Sequence, residues 1–381
     1  MRRFLPLALA LLLFVCLALP ASADASASPT AVGDKTGSAA ESAPWDDFLT
    51  GLPDGVRERL PESEDAGALS ELIGVRSLFA LLAEGVSDGW RIVLPGFLSL
   101  LALMLLSACY ELFARGGKGE RALVSAALSI VVSLAVFRVA EGTVDGVVDC
   151  LSSLSRVMSG FLPVMISLSL TGGGVASAAA AGTGIAAILS LVALFFCRVL
   201  PAVSGCCFGL SLVGTLGEND LKLDGISSNL RGFFLFSAGI LSTLFTGSLA
   251  LQTGLSAASD GVALKTAKTA LSGMIPIVGG TVSGTLSTVS GSLSLLRRSV
   301  GVGAVYALLL LVLPTLIRLL LFRFSYSLSA AVARAFSLSS TERLLGEFRA
   351  VSDLLLASLA MGAATLFISV GVLVRCAPSA L

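Results

Sequence analysis

Apolar residues come in runs long enough to cross a bilayer, divided by shorter polar stretches. A helix needs about 20 apolar residues to span the ~30 Å hydrocarbon core. Runs of that kind cover residues 93–113, 122–140, 161–180, 184–201, 230–251, 275–296, 301–322 and 354–374. The run at 161–180 is interrupted by Gly172, Gly173 and Gly174, and the one at 275–296 is dense in Gly, Ser and Thr. The pattern predicts an all-α, polytopic integral membrane protein with roughly six or seven transmembrane helices. Upstream, the apolar residues Leu69, Leu72, Ile73, Leu78, Phe79, Leu82 and Val86 follow helical spacing with polar residues opposite. They predict an amphipathic helix lying on the membrane surface or on a partner.

The first residues fit a cleavable secretory signal. Arg2 and Arg3 precede an apolar stretch from Phe4 to Leu19, and Ala21-Ser22-Ala23 is an A-x-A site before Asp24. The alternative is an uncleaved first span, against which the short apolar region and the polar stretch behind it argue. The expected organisation is a signal peptide over 1–23, an exported acidic linker and small helical module over 24–91, and a multi-span membrane domain over 92–381.

Composition sharpens the class. Hydrophobic residues make up 55% of the chain and charged residues 13%, with a mean hydropathy of +0.94. Soluble domains carry about 25% charge. The formal net charge is zero, yet residues 24–91 hold thirteen acidic against five basic side chains, a net of −8. That acidic segment offers no clustered Lys or Arg to read phosphates, so no nucleic-acid partner is expected. Arg115, Lys118 and Arg121 lie between the first two apolar runs, and Glu141, Asp145 and Asp149 follow the second. With the N-terminus exported, the positive-inside rule places the basic loop in the cytoplasm and the acidic one outside. The later topology stays open at 275–296. If this segment crosses, Arg297 and Arg298 lie outside and a loop with Arg323, Arg334, Arg343 and Arg349 lies inside; if it is re-entrant, the placements swap.

The chemistry on offer is sparse. The chain has no histidine, which removes Ser-His and Cys-His pairs, H-E-x-x-H and every imidazole ligand. Its seven cysteines show no C-x-x-C spacing, and no G-x-x-x-x-G-K-[ST] loop occurs. No enzyme activity, cofactor or metal is expected. Two Pro/Gly-interrupted segments stand out instead: Pro163 followed by Gly172, Gly173 and Gly174, and Pro276 followed by Gly279, Gly280 and Gly284. Backbone freed by Pro and Gly is tolerated at membrane depth only where protein or water satisfies it, and paired broken helices line sites in transporters. Alternatively these are kinks and close helix contacts, as are the small-xxx-small pairs Gly142/Gly146 and Gly205/Gly209. Arg198, inside an apolar run, is the candidate intramembrane charge; Arg138 and Arg318 sit nearer run ends and are expected to snorkel.

The segment from Ser272 to Leu321 resembles the stage III sporulation protein AE family. The resemblance is carried by Ile275-Pro276-Ile277-Val278-Gly279-Gly280, the Ser/Thr/Gly run, Arg297-Arg298-Ser299-Val300-Gly301-Val302-Gly303 and the span containing Pro314. Phe161-Leu162-Pro163-Val164 and Gly174-Val175-Ala176-Ser177 match its other Gly-rich segment, and the Trp45–Pro61 region agrees too. The resemblance implies a multi-pass subunit of a channel or secretion-like complex between mother cell and forespore. It would reside in the mother-cell membrane, with other stage III membrane proteins and the lipid bilayer as partners and residues 24–91 between the two membranes. The alternative function is a stand-alone permease whose interrupted helices line a site for a small molecule the sequence does not identify.

Overall fold

The computed structural model describes residues 43–50, 52–60, 75–113, 118–171, 178, 186–216, 224–274, 279–336 and 338–375. The expected signal peptide and residues 24–42 of the expected linker lie outside them. Among the described residues the chain is helical, with no strand. In order come α1 (Ala43–Thr50), α2 (Asp54–Arg57), α3 (Val75–Phe113), α4 (Lys118–Thr171) and α5 (Ala186–Leu194). A π-helical turn (Phe195–Val199) leads into α6 (Leu200–Leu216), α7 (Asp224–Met274), α8 (Gly279–Ala335) and α9 (Ser339–Arg375).

Five stretches are long and apolar enough to cross a membrane: Ala80–Tyr110, Leu189–Gly214, Gly225–Gln252, Arg298–Ala335 and Thr341–Val374. The runs expected at 122–140, 161–180 and 275–296 are not among them, and each includes residues that lie outside the described ones or whose side chains are not described.

The helices are longer than the apolar runs, and this corrects several boundaries. Residues 141–160, expected as an acidic loop, are the middle of α4. Their charges fall on one face at helical spacing, so the opposite face (Val144, Val147, Leu151, Leu154) still buries and the helix continues. Residues 256–272, between two apolar runs, are the end of α7. Arg297 and Arg298 lie within α8, and the arginines placed in a late loop sit on α8 and α9, whose connection is confined to residues 336–338. Leu78, Phe79, Leu82 and Val86 of the amphipathic stripe lie in α3, while Leu69, Leu72 and Ile73 lie outside the described residues, and residues 91 and 92 both lie inside α3.

The α8–α9 hairpin is the centre of the bundle. In α9, 61% of the apolar window is buried, against 22% in α7. α3, α4 and α7 pack around the hairpin, with the α5–π–α6 segment between α4, α7 and α9. Glycines set the closest approaches. A Cβ on Gly85 would come 2.7 Å from Ile317, on Gly89 2.8 Å from Leu321 and on Gly362 2.8 Å from Leu151. Gly301 meets Val374 in the same way. The module before the bundle is not a separate surface element as expected: Trp45 and Phe48 are fully buried against it. Phe48 packs edge-on to Phe161 at 6.3 Å, and a Cβ on Gly303 would sit 2.8 Å from the Trp45 ring. Two large aromatics fill the space that Gly303 leaves.

Candidate functional site

Arg198 is the best-defined of the residues singled out by sequence. It lies in the π-helical turn Phe195–Val199. Pro201 supplies the cause, since its ring lacks an N–H and clashes with the carbonyl four residues back, so the preceding turn widens. Phe196 turns inward against Phe234 while Arg198 turns out, exposed near Leu194 and Val199. Among the described residues Arg198 makes no ion pair.

The two interrupted segments are not drawn together where they are described. Pro163 is exposed inside α4, which continues to Thr171. Beyond the proline, Ser167, Ser169 and Thr171 donate to the carbonyls of Val164, Met165 and Ser167 at 2.7–2.9 Å. Gly172, Gly173, Gly174 and Pro276 lie outside the described residues. Gly279 begins α8, and Gly280 and Gly284 follow in its first turns. Phe161, through Phe48, marks the level of Gly303. Gly284 and Gly280 are therefore roughly 25–35 Å further along α8, at 1.5 Å per residue.

The small-xxx-small pairs face outward. Gly142, Gly205 and Gly209 have nothing within 4 Å of an added Cβ, and Gly146 has only the Arg318 guanidinium at 3.9 Å. None serves the internal helix contact expected of it.

Sequence reasoning missed a polar seam at the end of the bundle where α8 turns into α9. Arg231 of α7 donates to Glu347 of α9 at 2.7 Å, and the Ser227 hydroxyl donates to the same carboxylate oxygen at 2.9 Å. These side chains are only 13% and 15% exposed for Arg231 and Glu347. Arg323 pairs with Asp353, Arg349 reaches the Ser327 hydroxyl at 3.3 Å, and Arg334 pairs with Glu342 at 2.7 Å. The three contacts are successive rungs of an antiparallel hairpin. Beneath them Phe208 stacks on Phe348 at 4.7 Å, with Phe137 and Tyr326 extending the pile. Arg231 and Glu347 stand 116 residues apart, so no spacing rule pairs them. The seam ties helices together. Among the described residues no three His, Cys, Asp or Glu side chains are placed to hold a metal ion.

The apolar stretches are staggered. With Gly89 beside Leu321, residues 93–113 of α3 lie alongside the charged end of the α8–α9 hairpin. The apolar half of that hairpin (301–322 and 354–374) lies beside the polar parts of α3 and α4. Leu151 is beside Gly362, and the Cys150 thiol donates to the Leu311 carbonyl at 3.4 Å. From the rise of 1.5 Å per residue, the middles of the two apolar zones are offset by roughly 30–35 Å. Glu141, Asp145, Asp149 and Arg156 are thus exposed on α4 alongside the most apolar part of the hairpin.

Fold and surface define an all-helical membrane protein, built on a buried hairpin and carrying charged faces at the depth of its apolar belt. The chain belongs to the stage III sporulation protein AE family, whose sequence profile matches residues 67–377. It is similar to the stage III sporulation protein AE of Bacillus subtilis (strain 168), 24% identical over 303 residues that cover 76% of this chain and 73% of that protein. No solved structure matches.

Proposed function

We propose that this protein is a membrane subunit of the sporulation complex between mother cell and forespore, with a structural or conduit role, residing in the mother-cell membrane. Family membership across the whole bundle supplies the process. The stagger supplies the observation that favours a subunit over a self-sufficient unit. A bilayer laid over the apolar half of α8–α9 takes Asp145, Asp149 and Arg156 of α4 to hydrocarbon depth. One shifted to cover 93–113 takes Arg323, Arg334, Glu342 and Asp353 instead. Exposed carboxylates and guanidinia are costly in lipid, so with the bilayer on the apolar half of the hairpin the α4 face belongs against another protein or a water-filled path.

In this reading the α8–α9 hairpin is the rigid spine and α7 the lipid-facing helix, with Phe233, Phe236, Leu244, Leu251 and Leu255 each at least 65% exposed. Its partners in the complex are other stage III membrane proteins. An in-frame deletion in the sporulating host tests it: heat-resistant spore counts fall by orders of magnitude and return with the intact gene. Normal spore counts in the deletion strain would refute the reading.

A further inference from the structure

Two exposed helix faces lie at one depth and carry opposite charge. On α4, Glu141, Asp145 and Asp149 recur every four residues beside Gly142 and Gly146, with exposed Arg138 and Arg156 at the two ends of this acidic stretch. On the π turn and α6, Arg198 heads a face of small residues continued by Ala202, Gly205 and Gly209, all exposed.

The common depth follows from contacts in the bundle. Cys207 Sγ lies 3.9 Å from the Ser227 carbonyl and Phe196 packs on Phe234, so α6 runs antiparallel to α7. Arg231 meets Glu347 and Gly239 meets Met361, so α7 runs parallel to α9. Phe348 is joined to Phe137 through Phe208, and Gly362 meets Leu151, so α9 runs parallel to α4. α6 is therefore antiparallel to α4, in register at Phe208 and Phe137. Ten residues back from Phe208 is Arg198, about 15 Å along the axis. The same step forward from Phe137 ends between Asp145 and Asp149.

Among the described residues neither Arg198 nor any of the three carboxylates makes an ion pair. Both faces also carry the glycines that let helix backbones approach closely in lipid, and inside this bundle no helix packs on them, the Arg318 guanidinium 3.9 Å from a Cβ on Gly146 being their nearest neighbour. An uncovered arginine on one and uncovered carboxylates on the other are each costly in hydrocarbon, and each removes the cost of the other.

We propose that the α4 face of one copy docks on the π–α6 face of a second copy, with Arg198 seated between Asp145 and Asp149 of its neighbour. Two different faces meet, so the contact is heterologous and repeats around a ring or along a row. It also covers the α4 charges at hydrocarbon depth.

Two differently tagged copies of the full chain, expressed in a host with no sporulation genes, test this without depending on any other subunit. Wild-type copies co-purify in mild detergent. Copies both carrying Arg198→Asp lose about tenfold or more of that recovery, and so do copies both carrying Asp145→Arg with Asp149→Arg, because like charges then face each other across the contact. Pairing an Arg198→Asp copy with an Asp145→Arg/Asp149→Arg copy restores recovery to within about threefold of wild type. Unfolding temperatures of each purified variant, held within a few degrees of wild type, separate lost contact from lost fold. The proposal is overturned if wild-type copies do not co-purify, if the single-sided variants associate as wild type does, or if the mixed pair fails to recover. A salt bridge within one chain would be restored only by combining the changes in the same copy.

Discussion

α9 and α7 are both apolar enough to cross a membrane, with mean hydropathies of 2.1 and 1.7 in their apolar windows, yet 61% of one window is buried and 22% of the other. The difference lies in what stands beside them. α9 is held by α8, α4, α6 and α7, with glycines where the backbones are closest. α7 turns Phe233 and Phe236 outward at 71% and 68% exposure. Apolar composition puts a helix in the bilayer; small residues at matched positions decide whether it becomes spine or perimeter.

The largest expected effect that sharpens this contrast is at the aromatic pile. Phe348→Ala removes a ring that is 1% exposed and stacked on Phe208, and should lower stability by about 3–5 kcal/mol. Phe233→Ala on α7 should change it by no more than about 0.5 kcal/mol. Thermal unfolding of the purified protein in detergent compares them, and equal losses would break the distinction between spine and perimeter.

The ion pairs give the next contrast. Glu347→Ala leaves Arg231 without its carboxylate in a site where both are mostly buried, at a cost of about 2–4 kcal/mol. Glu342→Ala removes a pair whose arginine is 71% exposed and should cost less than about 1 kcal/mol. Chemical unfolding read by tryptophan fluorescence separates the two variants. A larger loss for Glu342→Ala would mean that the outer rung, not Arg231–Glu347, holds the hairpin end.

The smallest effect is also the sharpest in sign. Gly303→Ala gains helix propensity but drives a methyl into the Trp45 ring, a net loss of about 1–2 kcal/mol. Gly247→Ala on α7 meets nothing within 4 Å and should gain up to about 1 kcal/mol. Opposite shifts in unfolding temperature are expected; a gain at both sites would show that Trp45 does not dock against Gly303.

The apolar cores of α8 and α9 were legible in the sequence, because runs of twenty apolar residues have few other outcomes. The continuity of α4 was also written there, in the four-residue spacing of Glu141, Asp145 and Asp149. It was obscured because three acids after an apolar run also fit a loop. The Gly142/Gly146 and Gly205/Gly209 motifs were visible, but not their direction: the same spacing serves an internal contact or an outer face, and only the neighbouring helices decide. The Arg231–Glu347 pair was not legible at all. Two isolated charges on helices far apart in sequence become partners through packing. Arg198 was picked out for its cost in lipid, whereas its outward turn depends on the π turn ahead of Pro201.

Whether this bundle works inside a sporulation complex is tested by affinity purification of the tagged protein from sporulating membranes in mild detergent, with mass spectrometry of what is retained. Other stage III membrane proteins are expected to be recovered with it. Recovery of the tagged protein alone, from cells in which the complex is intact, would contradict that expectation.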